Sequence, residues 1–237
     1  MNLMLLWNAE VLADSSFKLT ANDRRARHIQ QVLQLQPGDS LKAGIIDGLM
    51  GKATLQSIEN NALVFTSHFH ELPPAPLDLT LIIGLPRPKM MRRIIQSVSA
   101  LGVKDIVFVN TYKVEKSYWQ TPWLSPQNLI EQSLLGLEQA VDTQIPRISQ
   151  FKLFKPFVED HLQVIMNGRE GWFAHPGMFA PVPETPKKMV LVIGPEGGLT
   201  PYEVDKLRTA GLRGFHFGRR ILRMETAIPA ILGRLFF

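Results

Sequence analysis

The sequence predicts an α/β protein in two parts, a small β-rich domain over residues 1–72 and a larger domain of alternating strands and helices over 73–237. Three observations carry this expectation. Short Ile-, Leu-, Val- and Phe-rich segments in the first part are broken by hairpin punctuation. The stretch Leu72-Pro73-Pro74-Ala75-Pro76 lacks backbone donors at three positions and makes a stiff linker. Beyond it, apolar strand candidates alternate with helical patterns, which demands crossover connections and a mostly parallel sheet.

In order, Asn22 to Leu33 reads as a short helix capped by Thr20 or Asn22. Pro37-Gly38-Asp39 forces a turn, and Asp47-Gly48, Gly51 and Asn60-Asn61 punctuate the strands that follow. After the linker, Leu79 to Ile83 is a buried strand, Met90 to Leu101 a helix stopped by Gly102, and Asp105 to Val109 a second strand. Ser125-Pro126 opens a helix that runs to about Ala140. Trp172-Phe173-Ala174 and Met189 to Ile193 are further strands.

The chain of 237 residues carries 26 Lys and Arg against 21 Asp and Glu, a formal charge of +5. The basic balance favours polyanionic partners without locating a site. With no cysteine, disulfides, thiolate nucleophiles, iron–sulfur clusters and Cys-based zinc sites are excluded. The histidines show no metal spacing beyond His68 and His70, which read as a solvated strand end, so no metal is expected. No segment resembles a signal peptide or reaches the roughly 20 apolar residues of a membrane helix, so the expected location is the cytoplasm. Dinucleotide-binding glycine fingerprints, phosphate loops and zincin motifs are absent.

Two loops carry the chemistry. Val190 to Ile193 is a strand that runs into Gly194-Pro195-Glu196-Gly197-Gly198-Leu199, and Thr200 to Glu203 forms a capping box with Pro201 at the first helical position. Glycine here serves either close approach to a ligand or the tight turn itself, and spacing does not separate the two. Phe215-His216-Phe217 reads as another short strand, followed by Gly218-Arg219-Arg220-Ile221-Leu222-Arg223 and an apolar helix with Pro229 in its first turn. Cations beside a helix N-terminus are disfavoured by its dipole, so Arg219, Arg220 and Arg223 call for an anion: a phosphate, a ligand carboxylate or Glu225. Solvated surface arginines are the alternative.

Ile193-Gly194-Pro195-Glu196-Gly197-Gly198-Leu199-Thr200, followed by Gly218-Arg219-Arg220-Ile221-Leu222-Arg223-Met224-Glu225-Thr226-Ala227, resembles the 16S ribosomal RNA uridine-N3 methyltransferase family of the SPOUT class. Arg27 to Asp39 is similar to that family's PUA-like RNA-binding β-barrel, and Leu101-Gly102-Val103 and Glu138-Gln139 match its middle. The resemblance implies a C-terminal trefoil knot within about 170–237, a homodimer, and S-adenosylmethionine as cofactor. Carried over by position, Ile193, Gly194, Gly197, Gly198, Phe217, Gly218, Ile221 and Leu222 should cradle that cofactor, with His175-Pro176 as a third loop. Ser97 and Ala100 replace a lysine and a glutamate of the family pattern, and Asp142 an arginine.

For a uridine N3 target the imide proton must leave before or during attack, and a cation beside the uracil oxygens stabilises the developing anion. Arg223 is the first candidate for that cation, with Glu225 orienting it or taking the proton. Glu196 is a further candidate that could equally anchor its loop. Arg219 and Arg220, together with Arg24, Arg25 and Arg27 on the N-terminal helix, suit phosphate contacts. Other readings stay open: an enzyme of the same fold acting on another RNA nucleotide, or an RNA-binding assembly protein that has lost activity.

Overall fold

The computed structural model describes residues 1–59, 62–178, 180–184 and 188–237. Asn60-Asn61, expected as hairpin punctuation, lies outside the described residues. Two compact units form: Met1–Ala75 with Leu134–Ile145, and Pro76–Ser133 with Pro146–Phe237. The segment Leu134–Ile145, which the linker position assigned to the second domain, is thus part of the first.

The first unit is a five-stranded sheet with β1 (Met4–Leu6), β2 (Ser16–Thr20), β3 (Ser40–Ile45), β4 (Met50–Glu59) and β5 (Ala62–Glu71) in the order β1-β3-β4-β5-β2. Alternation sends Phe17, Leu19, Ala53, Leu55, Leu63 and Phe65 to one face, where they bury against Ala26 and Ile29. The Phe17 and Phe65 rings stack at 5.1 Å. Helix α1 (Arg24–His28) is shorter than its pattern and continues as a π-helical turn, Ile29–Leu33. Its cap is Asp23 rather than Thr20 or Asn22, because the Asp23 carboxylate accepts the Arg25 backbone N–H at 2.8 Å. The other side of β1, Leu3 and Leu5, packs with Ile46 against Leu137.

The second unit holds β6 (Leu79–Gly84), α2 (Pro88–Ala100), β7 (Asp105–Val109), α3 (Pro126–Ala140), β8 (Arg147–Phe151), α4 (Phe154–Pro156) and α5 (Leu162–Met166). It continues with β9 (Glu170–Ala174), β10 (Met189–Ile193), α6 (Pro201–Thr209), β11 (Arg213–Phe215) and α7 (Met224–Phe236), and of α3 it holds only the part up to Ser133. The six strands run parallel in the order β11-β9-β10-β6-β7-β8. β10 is central and buried along its whole length, as its unbroken apolar run requires. Met91, Ile94, Ile95 and Val98 form the buried stripe of α2 at helical spacing.

Two expectations about the last loop are corrected. The final strand is Arg213–Phe215 and ends before His216, so His216 and Phe217 belong to the loop. α7 starts at Met224 with Arg223 as its cap residue, which puts Pro229 in the second turn rather than the first. An interior proline forfeits one helical hydrogen bond.

Candidate functional site

All strands of the second unit point the same way, so their carboxyl ends lie along one edge. Ala174, Ile193 and Phe215 stand in one register row, and Ile83 and Phe108 extend it across β6 and β7. Loops leaving that row converge at the ligand-binding end of such sheets. The order of adjacent strands then decides which loops meet. Those after β11, β9 and β10 share one cavity, and those after β10, β6 and β7 border a second.

The first cavity has a volume of about 620 Å³. His175, Pro176, Ile193, Gly194, Gly198, Phe217, Gly218, Ile221 and Leu222 line it, as do Glu196, Arg219, Arg220 and Arg223. Gly197, expected among the cradle residues, does not line it. A Cβ built there would sit 2.9 Å from the Lys113 Cβ, and Lys113 Nζ donates to the Gly197 carbonyl at 2.8 Å. Gly197 therefore makes room for Lys113. Gly198 and Gly218 hold φ of +70° and +80°, a region that other residues enter at a cost of about 1–3 kcal/mol.

The loop after β10 is tied down at both ends. Thr200 Oγ1 accepts the Glu203 N–H at 3.2 Å, and Glu203 Oε2 accepts the Thr200 N–H at 2.8 Å, the reciprocal capping box read from the sequence. The buried Glu203 also accepts the Tyr112 N–H at 2.7 Å, which binds the loop after β7 to α6. Glu196 Oε1 accepts the Arg87 N–H at 2.9 Å. Glu196 thus anchors its loop to the start of α2. Burial, and then the charges of Lys113 and Arg208, hold the His175 imidazole below its ordinary pKa, so it is neutral at physiological pH.

The second cavity, of about 700 Å³, is lined by Arg87, Pro88, Lys89, Met90, Tyr118, Glu196, Arg223 and Glu225. It shares Glu196 and Arg223 with the first. The Tyr118 hydroxyl donates to Glu115 Oε1 at 2.9 Å. Burial first, and then that carboxylate, raise its pKa despite the opposing Arg87 charge, so it stays protonated. Arg219, Arg220 and Arg223 are exposed and take no ion-pair partner among the described residues. Arg223 and Glu225 are therefore neighbours without being a pair.

The N-terminal arginines behave otherwise. Arg24 makes a two-pronged pair with Glu138, at 2.6 and 2.9 Å, and Arg25 is held by Glu10 and Asp23. Burial lowers the Arg25 pKa, but hydrogen bonds to Asp23 and Glu10 outweigh it and the net shift is upward. Of the three, only Arg27 is outside an ion pair among the described residues. Ser97, Ala100 and Asp142, the departures from the family pattern, line neither cavity.

Sequence reasoning missed Lys113, Arg87 and Tyr118. A usable signal existed for the first, since a lysine four residues beyond the end of an apolar strand belongs to the ligand edge of a parallel sheet. Tyr118 and Arg87 become visible only once strand order is known.

Residues 73–235 match the family described as RNA methyltransferase domain. The chain belongs to that family. This RNA methyltransferase-family chain is 32% identical to the ribosomal RNA small subunit methyltransferase E of Treponema pallidum, over 97% of the chain and 88% of that relative. A protein from Legionella pneumophila solved with bound SAM superposes with a TM-score of 0.76 at 22% identity, over 98% and 95% of the two chains. The ribosomal RNA small subunit methyltransferase E of Neisseria gonorrhoeae, bound to S-adenosyl methionine, gives 0.74 at 21%, over 97% and 95%. At these identities the two structures establish the fold: a PUA-like half-barrel followed by a SPOUT-type α/β domain.

Proposed function

We propose that this chain transfers a methyl group from S-adenosylmethionine to a base of small-subunit ribosomal RNA, with N3 of a uridine as the target. The observation that carries the proposal is the pair of cavities joined at Arg223 and Glu196, one framed by glycine-containing backbone and one by Arg87, Tyr118, Arg223 and Glu225. The names of the relatives point to the same RNA.

The first cavity fits the cofactor in three respects. Gly194, Gly198 and Gly218 expose backbone without a Cβ, Phe217 and Leu222 offer apolar surface, and the neutral His175 adds no cation near a positively charged sulfonium. When bound, the cofactor supplies an electrophilic methyl group. The protein's own share is orientation and charge management. The base leaves its stack to reach the second cavity. There Arg223 stabilises negative charge on the uracil oxygens and Glu225 takes the N3 proton, while Tyr118, whose hydroxyl proton is held by Glu115, lines the wall of the cavity. Glu196 holds the loop against Arg87 rather than acting on the base.

Nucleoside analysis of ribosomal RNA from cells lacking this protein tests the proposal. Loss of 3-methyluridine, restored by the purified protein and S-adenosylmethionine, is the expected result. Loss of a different methylated nucleoside would redirect the target while keeping the reaction class, and no loss would sink the enzyme reading. We further propose that the chain works as a homodimer in the cytoplasm and carries a trefoil knot in about 170–237, as family membership implies. No helix among the described residues is long and apolar enough to cross a membrane. Light scattering over a dilution series checks the dimer, which a monomer retaining full activity would rule out.

A further inference from the structure

The outer face of the five-stranded sheet carries a row of side chains that the site above does not use. Lys42 on β3 stands directly opposite Lys52 on β4, and Lys52 directly opposite His68 on β5. All three are exposed, while their neighbours Ala43 and Ala53 point into the core. The His70 ring lies beside His68, tilted by 34° with 4.7 Å between ring centres.

Like charges directly across a ladder are destabilising. Exposed lysine has an ordinary use on edge strands, where it discourages pairing with another chain. That explanation does not cover Lys52, which is paired on both sides, with Lys42 of β3 and His68 of β5. The neighbouring row adds hydroxyls: Ser40, Thr54, Thr66 and Ser16 are aligned across β3, β4, β5 and β2. Ser40 Oγ and Thr54 Oγ1 lie 2.9 Å apart. Among the described residues of these strands, carboxylates lie toward the margins: Glu71 is 3.7 Å from His70, Glu59 ends β4, and Asp14 accepts from the Ser16 hydroxyl at the far end. The centre of the face is thus a pair of lysines and two imidazole rings beside a row of hydroxyls.

We propose that this face is a phosphate-contact surface for the RNA strand, with Lys42 and Lys52 as its charged centre. The proposal rests on the chain being an RNA methyltransferase. It moves the N-terminal RNA contact from α1, where Arg24 and Arg25 are engaged internally, to the sheet. A phosphate between the two lysines removes the repulsion that the empty ladder carries, and hydroxyls suit phosphate and ribose oxygens without reading sequence.

The test measures binding of in vitro transcribed small-subunit ribosomal RNA by the full chain over a salt series. At about 0.7 in the logarithmic salt slope per single-strand contact, Lys42→Ala with Lys52→Ala should flatten the slope by about 1.4 and weaken binding roughly tenfold or more. Cofactor affinity should not move. Lys52→Glu sets a carboxylate opposite Lys42, so it should raise the melting temperature while weakening RNA binding, an opposition that a purely structural role would not produce. An unchanged slope in the double variant, with wild-type binding intact, overturns this surface and leaves the methyltransferase reading standing. A wild-type chain that neither binds nor methylates the RNA overturns both.

Discussion

Arg223 sits where the two cavities meet, and its main chain is already committed. Its carbonyl accepts the Thr226 and Ala227 N–H groups at 3.0 and 2.7 Å as the first residue before α7, which leaves the guanidinium free to serve a ligand. Because no ion pair ties it to Glu225, removing the side chain should not collapse the loop. Arg223→Ala is therefore expected to cut single-turnover methyl transfer roughly a hundredfold or more, the scale of losing one oxyanion donor, with calorimetric cofactor affinity nearly unchanged. Arg223→Lys separates charge from planar geometry: partial rescue means charge suffices, none means the two-pronged donor is needed. Full activity in the alanine variant would move the role to Arg87 or Tyr118. At this scale the sequence was legible where backbone geometry demanded a residue type, as at Gly198 and Gly218. At Gly197 the space a Cβ would fill is taken by a side chain eighty-four residues earlier, which no local spacing marks.

At the scale of elements, legibility followed periodicity and caps. Met189–Ile193, Asp105–Val109 and Pro126–Ala140 appear with the bounds read from sequence, because an unbroken apolar run, a strand between a glycine and a loop, and a Ser-Pro helix start each leave a local mark. β8, Arg-Ile-Ser-Gln-Phe, left none: its pattern is too short and too polar to call, and only pairing with β7 makes it a strand. The end of α1 was likewise hidden, since a π-helical turn keeps nearly the same apolar spacing as an α-helix while changing the hydrogen-bond ladder. Pro229 was read as a first-turn residue because that is where a proline costs least. The helix instead takes it one turn in and forgoes the hydrogen bond that a donor would have made to the Glu225 carbonyl.

At the scale of the whole molecule, the least legible feature is that the first unit is discontinuous in sequence. Helix α3 is one uninterrupted helix, yet its residues up to Ser133 belong to one compact unit and those from Leu134 to the other. Nothing in a continuous helical pattern marks such a division, whereas the prolines at 73, 74 and 76 advertise a boundary that is only half of the story. The returning segment is integral to the first unit. Leu137 covers Leu3, Leu5 and Ile46, the Glu138 carbonyl accepts the Asn2 and Leu3 N–H groups, and the Glu138 carboxylate binds Arg24. Thr143 Oγ1 donates to the Gly48 carbonyl at 2.6 Å and fixes the β3–β4 turn. Leaving apolar side chains such as Leu3, Leu5 and Ile46 uncovered forfeits up to about 1.5–3 kcal/mol each, a large part of the roughly 5–15 kcal/mol that holds a domain folded. A fragment of residues 1–75 is therefore expected to melt without cooperativity, or far below the intact chain, when followed by circular dichroism. Adding a peptide spanning residues 126–145 should restore a cooperative transition, and Glu138→Ala in that peptide should weaken the rescue. Cooperative melting of the fragment alone at the temperature of the intact chain would show that the first unit is complete without its returning helix.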